Sequence, residues 1–236
     1  MFLLFLSAGL YADNEIFVTQ TGSNASVDLE QLGGSNLIGG TSAVSGTMTA
    51  LDLDGASMIL DINQIGSSNI FRSDAIDGSN FTGFFEFDGD SNVWDLLVDS
   101  TGLLGSDYIN MNIDVTGSSN VADIKIAENA AADYLDLDWI VTGDSNQFDF
   151  DIDYENATNY MDVNGSSNTI NFNGSGFAGN SQATSGYFYM DLDGSSNTFN
   201  VTQASTLARD WLKITSNGSN SNICIVQNDG GVATSC

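Results

Sequence analysis

Asp149, Asp151 and Asp153 are the residues whose type and spacing come nearest to a metal site. Hard cations such as Ca²⁺ take several carboxylate oxygens at once, and an Asp-x-Asp-x-Asp run can supply them. The alternation from Gln147 to Asp153 places the three on one strand, however, and no Gly or distal Glu follows at calcium-loop spacing. The calcium-repeat pattern Gly-Gly-x-Gly-x-Asp is also absent. A solvated acidic face is the plainer reading, and Ca²⁺ is the one cofactor candidate. Catalysis finds little footing. The chain has no histidine, so Ser–His and Cys–His nucleophiles are unavailable, and its 31 Asp and Glu form too many carboxylate pairs to single out one for glycoside cleavage. No enzyme is expected.

Amides form the second chemical group. Asn36, Asn69, Asn92, Asn120, Asn146, Asn168 and Asn197 recur in like surroundings, and identical amides one strand spacing apart can bond along a ladder. Asn also suits left-handed turn angles, and the two roles are compatible. Aromatics form a third group: Tyr108, Tyr134, Tyr160, Tyr187 and Trp211 each lead a strand-like run. Stacked on the exterior they would offer a sugar- or surface-binding stripe; placed near a loop they would merely cap the core.

The elements that position these residues follow from one repeat. Gly-x-Ser-Asn begins at Gly33, Gly66, Gly89, Gly117, Gly143, Gly165 and Gly194, with shifted forms at Gly22, Gly78 and Gly218. Gly and Asn mark a turn, and the flanking period-two alternation marks strands with one buried face. From Gly89 onward the turns start 28, 26, 22, 29 and 24 residues apart, which suits a coil of strand, turn, strand, turn. The expected fold is an all-β solenoid of stacked strand-turn-strand coils, about 22–29 residues each. Leu51/Leu53, Phe85/Phe87, Met111/Ile113/Val115, Leu135/Leu137, Phe148/Phe150/Ile152, Met161/Val163, Ile170/Phe172 and Phe199/Val201 should point inward, with the intervening Asp and Glu outward. Before Gly89 the turn signals lie 11 or 12 apart in places, and the phasing of those coils is not fixed. The nearest approach to a helix is Asp123 to Ala132.

Composition narrows the partners. Four Lys and Arg against 31 Asp and Glu give a net charge of -27, which excludes nucleic acid and anionic membrane surfaces and favours solubility, cation binding or a saline setting. Met1 to Ala12 holds an apolar run followed by small residues and reads as a signal peptide (residues 1–12), without the usual basic start. Residues 13–236 would form a single solenoid domain, exported and lacking a membrane span. Cys224 and Cys236 are then expected to pair as a disulfide clamp near the C-terminus, giving about 3 kcal/mol in the loop-entropy picture.

The residues resemble curlin repeats, the units of bacterial curli fibres. That pattern runs Gln, Gly two on, Asn five on, small or apolar residues at seven and nine, and Gln at eleven. Gln64, Gly66, Asn69 and Phe71 fit its start; Gly194, Asn197, Phe199, Val201 and Gln203 fit all but the first position, where Leu192 stands. Gln20, Gly22, Val27, Leu29 and Gln31 fit with Asn24 one residue early, and Gln31, Gly33 and Asn36 open a further copy. The resemblance implies a curlin-like subunit of a secreted or cell-surface bacterial fibre or biofilm matrix. Its partners would be further copies through β-strand edges, a nucleating homologue, and a host or abiotic surface. The alternative is a monomeric acidic adhesin or binding module that takes Ca²⁺ or a surface ligand.

Overall fold

The structure, a computed structural model, describes residues 14–40, 51–66, 68–73, 75–98, 108–127, 133–176, 185–205 and 209–228. The expected signal peptide at 1–12 and Cys236 lie outside the described residues. So do the connections at 128–132 and 177–184.

Seventeen strands and no helix make up the described chain. They are β1 (Thr19–Thr21), β2 (Ser26–Leu32), β3 (Asp52–Asp54), β4 (Met58–Ile65), β5 (Ala75–Asp77), β6 (Phe81–Asp88), β7 (Val93–Val98), β8 (Ile109–Thr116) and β9 (Val121–Ile126). There follow β10 (Leu135–Thr142), β11 (Gln147–Tyr154), β12 (Asn156–Asn164), β13 (Thr169–Gly176), β14 (Ser185–Asp193), β15 (Thr198–Ser205), β16 (Arg209–Asn217) and β17 (Asn222–Asn228). The odd-numbered strands stack in order into a nine-stranded sheet and the even-numbered ones into an eight-stranded sheet. Every pairing is parallel and links a strand to the strands two before and two after it, which is the topology of a β-solenoid.

Why these residues make this fold is visible in one rung. Along β10 the burial alternates strictly: Leu135, Leu137, Trp139 and Val141 are buried while Asp136 and Thr142 are exposed. All the side chains expected to point inward are at most 3% exposed. They form one continuous core between the sheets, in which Trp94 stacks on Trp139 and Phe172 on Phe188.

The early coils are resolved by the structure. They have two turn columns: Gly22, Gly55 and Gly78 stack on one flank, and Gly33, Gly66 and Gly89 on the other. The turn at Gly55-Ala56-Ser57 escaped the sequence reading because Met58 stands where the tetrad has Asn; its Ser57 nonetheless holds the left-handed φ of 58° shared by the other turns. After Gly89 only the second column continues, through Gly117, Gly143, Gly165, Gly194 and Gly218. The opposite flank passes to connections that vary from one residue, Glu155, to undescribed loops. The helical hint at Asp123 resolves as β9.

Candidate functional site

The unbroken turn column is the most regular chemical feature of the molecule. Gly143 has φ of 145°, and a Cβ there would lie 2.0 Å from the carbonyl oxygen of Gly117 on the preceding rung, so no other residue fits. All seven candidate ladder asparagines are buried, at most 2% exposed. Their bonds run from side chain to main chain rather than from amide to amide. The Oδ1 of Asn120, Asn146, Asn168 and Asn197 accepts the backbone N–H of the preceding asparagine at 2.8–2.9 Å. The Nδ2 of Asn146, Asn168 and Asn197 donates to the preceding turn's glycine carbonyl at 2.9–3.0 Å. Each of these four asparagines thus satisfies a backbone group that a buried turn would otherwise leave bare. Ser221 closes the series, its Oγ accepting the N–H of Asn197. Asn36 and Asn69 share the column; Asn69 donates to the carbonyls of Gln64 and Asp88.

A second ladder runs through the variable position of the tetrad. Asp90, Ser118, Asp144, Ser166 and Ser195 each accept from the backbone N–H of the same position one rung on. The sequence carried a signal for it: this position is Ser or Asp in every copy from Ser67 to Ser219.

The four glutamines fall into two inward columns. Gln31 and Gln64 are neighbours on β2 and β4, both buried, with Gln64 Nε2 donating to Gln31 Oε1 at 2.7 Å. Gln20 and Gln203 belong to the nine-stranded sheet and share one column with Leu53, Ile76, Val98, Ile126, Ile152 and Gly174. That column continues to Gln227, whose Nε2 donates to Gln203 Oε1 at 2.9 Å. Gln227 was not singled out from the sequence, although it stands nine residues after Gly218 as Gln203 does after Gly194.

Asp149, Asp151 and Asp153 do not converge. They lie along β11, where Asp149 accepts from Asn171 and from Gln147, and Asp151 accepts from Asn173 at 3.1 Å. Among the described residues no three His, Cys, Asp or Glu side chains are placed to hold a metal ion. Asp149 instead stacks with Asp123 and Asp95 on successive strands, with Lys125 paired to Asp123 at 3.4 Å; Asp28 and Asp61, Asp54 and Asp77, Glu86 and Asp114, and Asp162 and Asp191 are likewise neighbours across strands. Burial, then the negative charge of Asp123, pushes the Asp95 carboxyl up against the opposing pull of Arg72 and Lys125. Burial followed by like-charged neighbours likewise raises Asp77, Asp114, Asp138 and Asp162.

The exposed aromatics all belong to the eight-stranded sheet's side: Phe84, Tyr108, Tyr134, Tyr160, Tyr189 and Trp211. They do not form one stripe. Tyr108 and Tyr134 stack at 4.8 Å with planes 7° apart, just before β8 and β10. Tyr187 and Trp211 stack in a row two residues further along, at 6.0 Å and 21°. Tyr160 and Tyr189 occupy yet another row. Between the first two stacks β12 carries only the short Asn156 and Thr158, and a groove of about 420 Å³ opens there.

Among the described residues, no strand covers the C-terminal end of the solenoid. Ile223 and Ile225 occupy inward columns below Phe199 and Val201, yet are 38% and 46% exposed because no described strand covers them. Cys224, on the same strand, is a disulfide cysteine.

Fold and surface together define a parallel β-solenoid with a turn spine and an acidic exterior. No protein-family model matches this chain, and no curated protein or solved structure does so either. The curlin resemblance therefore rests on the quoted residues. No helix among the described residues is long and apolar enough to cross a membrane.

Proposed function

We propose that this chain is an exported structural or adhesive repeat protein that assembles head to tail with copies of itself, as a curlin-like subunit of a surface fibre or matrix. The observation that supports it is the distribution of glutamine in one core column. Gln20 stands at its N-terminal end and Gln203 and Gln227 at its C-terminal end, while apolar residues and one glycine fill the middle. Within the chain each later glutamine donates Nε2 to the earlier Oε1. A second copy continuing the sheet in register would set its Gln20 on Gln227 and repeat that bond. Its Val18, which precedes Thr19 in the same register, would fall on Ile225 and cover it. Among the described residues both ends are strand edges, which pair unless blocked, and the chain has no proline to block them.

The test is negative-stain microscopy and fibre diffraction of the purified chain beside its Ile225→Asp variant. Fibres with a repeat of ~4.8 Å along the axis, lost in the variant while its thermal midpoint stays within a few degrees, are expected. Persistent monomers of the parent chain at high concentration overturn the reading.

A further inference from the structure

We propose that the groove over β12, between the Tyr108–Tyr134 and Tyr187–Trp211 stacks, is a binding slot for an uncharged pyranose glycan. The site stands apart from the ends of the solenoid, and its occupancy does not depend on assembly.

Geometry comes first. Tyr134 precedes β10 and Tyr187 lies on β14, two strand spacings or ~9.6 Å apart across the sheet. Each belongs to a stack that runs in that same direction, so each offers a ring face toward the intervening strand. The faces are staggered by two residues, ~6.6 Å, along the strand direction. The walls are therefore flat and offset, which suits a short run of sugar rings lying obliquely across β12. A spherical cation seeks rings that converge on a point instead, and these do not.

Chemistry points the same way. The groove is lined by Asn110, Asp136, Asn156 and Thr158 as well as the tyrosines, and among the described residues no Lys or Arg lines it. Asp136, Thr158 and Tyr187 fall in one register row, so a carboxylate, a hydroxyl and a phenol line the same edge. Vicinal sugar hydroxyls bond to side chains of this kind, while the C–H face of a pyranose packs on an aromatic ring. The charge excludes acidic glycans: Asp136 lines the slot, and Asp138 follows on the same outward face. Tyr108 and Tyr134 remain 57% and 50% exposed, an apolar surface that nothing among the described residues covers.

The experiment is affinity electrophoresis of the full chain through gels holding hydroxyethyl cellulose, laminarin, galactomannan or dextran, with alginate as the acidic probe. Retardation by at least one neutral polymer is expected, weakened at least tenfold in Tyr134→Ala and in Tyr187→Ala and unchanged in Tyr160→Ala, which lies outside the slot. Circular dichroism of all three variants should match the parent, as the rings pack on the outside. Four results each overturn the proposal: no retardation by any neutral polymer, equal retardation of the slot variants, stronger retardation by alginate, or a concentration-dependent dimer abolished by Tyr134→Ala, which would make a second copy the occupant.

Discussion

The hydroxyl of Tyr154 donates a 2.9 Å hydrogen bond to the carboxylate of Asp210, 56 residues further along the chain. Tyr154 ends β11 and Asp210 lies on β16, so the bond spans the two rungs between. Glycines clear its path: a Cβ on Gly186 would stand 2.6 Å from the Tyr154 hydroxyl oxygen, and one on Gly174 would stand 3.2 Å from the ring. Burial, then the Asp210 charge and the bond itself, hold the phenol proton far more tightly than usual, so the donor is intact at any ordinary pH. Tyr154→Phe should lower unfolding free energy by about 1.5–3 kcal/mol, the range for a hydrogen bond to a charged group, as read by urea titration. Gly186→Ala should cost more, since it displaces the ring as well.

The turn spine makes a graded expectation. Gly165 has φ of 154° and would place a Cβ 1.9 Å from the Gly143 carbonyl oxygen, so Gly165→Ala should cost on the order of 3 kcal/mol or more. Asn168→Ala strips the acceptor from the Asn146 N–H and should cost about 1–3 kcal/mol. Asn168→Ser should lose less, because Ser221 already performs this task beneath Asn197. Thermal denaturation should rank the three in that order.

In the outer ladder, Asp144 accepts from the Ser166 N–H at 2.6 Å while its own N–H donates to Ser118 Oγ. Asp144→Ser should be nearly neutral. Asp144→Ala, in this exposed position, should cost about 0.5–1 kcal/mol. Equal midpoints for the two variants would deny the ladder any energetic role.

Stability should rise on mild acidification. Asp77, Asp95, Asp114, Asp138 and Asp162 have folded pKa values above the ordinary 3.8, so the folded chain holds protons that the unfolded chain has released. The penalty is fully present above the folded values and is relieved as pH falls through them toward 3.8. The melting midpoint should therefore climb from pH 7 toward the acid side of that window, and at pH 7 it should climb with added NaCl as repulsion is screened. A midpoint that falls on the same acid excursion would contradict the assigned shifts.

Much of the fold was legible in residue order. Period-two alternation fixed which side of β8, β10 and β11 faces the core, because a half-buried parallel strand leaves no other reading. The tetrads announced the spine. What stayed hidden depends on register between rungs, which local sequence does not encode. Tyr160 reads as the start of a strand, yet the one-residue connection at Glu155 starts β12 at Asn156 and moves Tyr160 to its middle. That shift breaks the stripe that the five aromatics could have formed and opens the gap above Asn156 and Thr158. Likewise Asp149, Asp151 and Asp153 look like a cluster in the sequence, but Asp149 stacks with Asp123 and Asp95 on the strands before it, an alignment set by loop lengths. The Gln20–Gln203–Gln227 column spans the chain and appears only once every register is known.

Strands that bond only to the strands two before and two after also dictate how the molecule yields to force. Pulled apart along its axis, it meets a tie that reaches past neighbouring rungs where Tyr154 bonds to Asp210. Rungs would peel from an end one after another, each releasing 22 to 33 residues and lengthening the chain by roughly 75–110 Å at ~3.4 Å per residue. Such a molecule absorbs work in many small steps and gives way gradually, as a cable unlaid strand by strand does, with a catch at the Tyr154 bond.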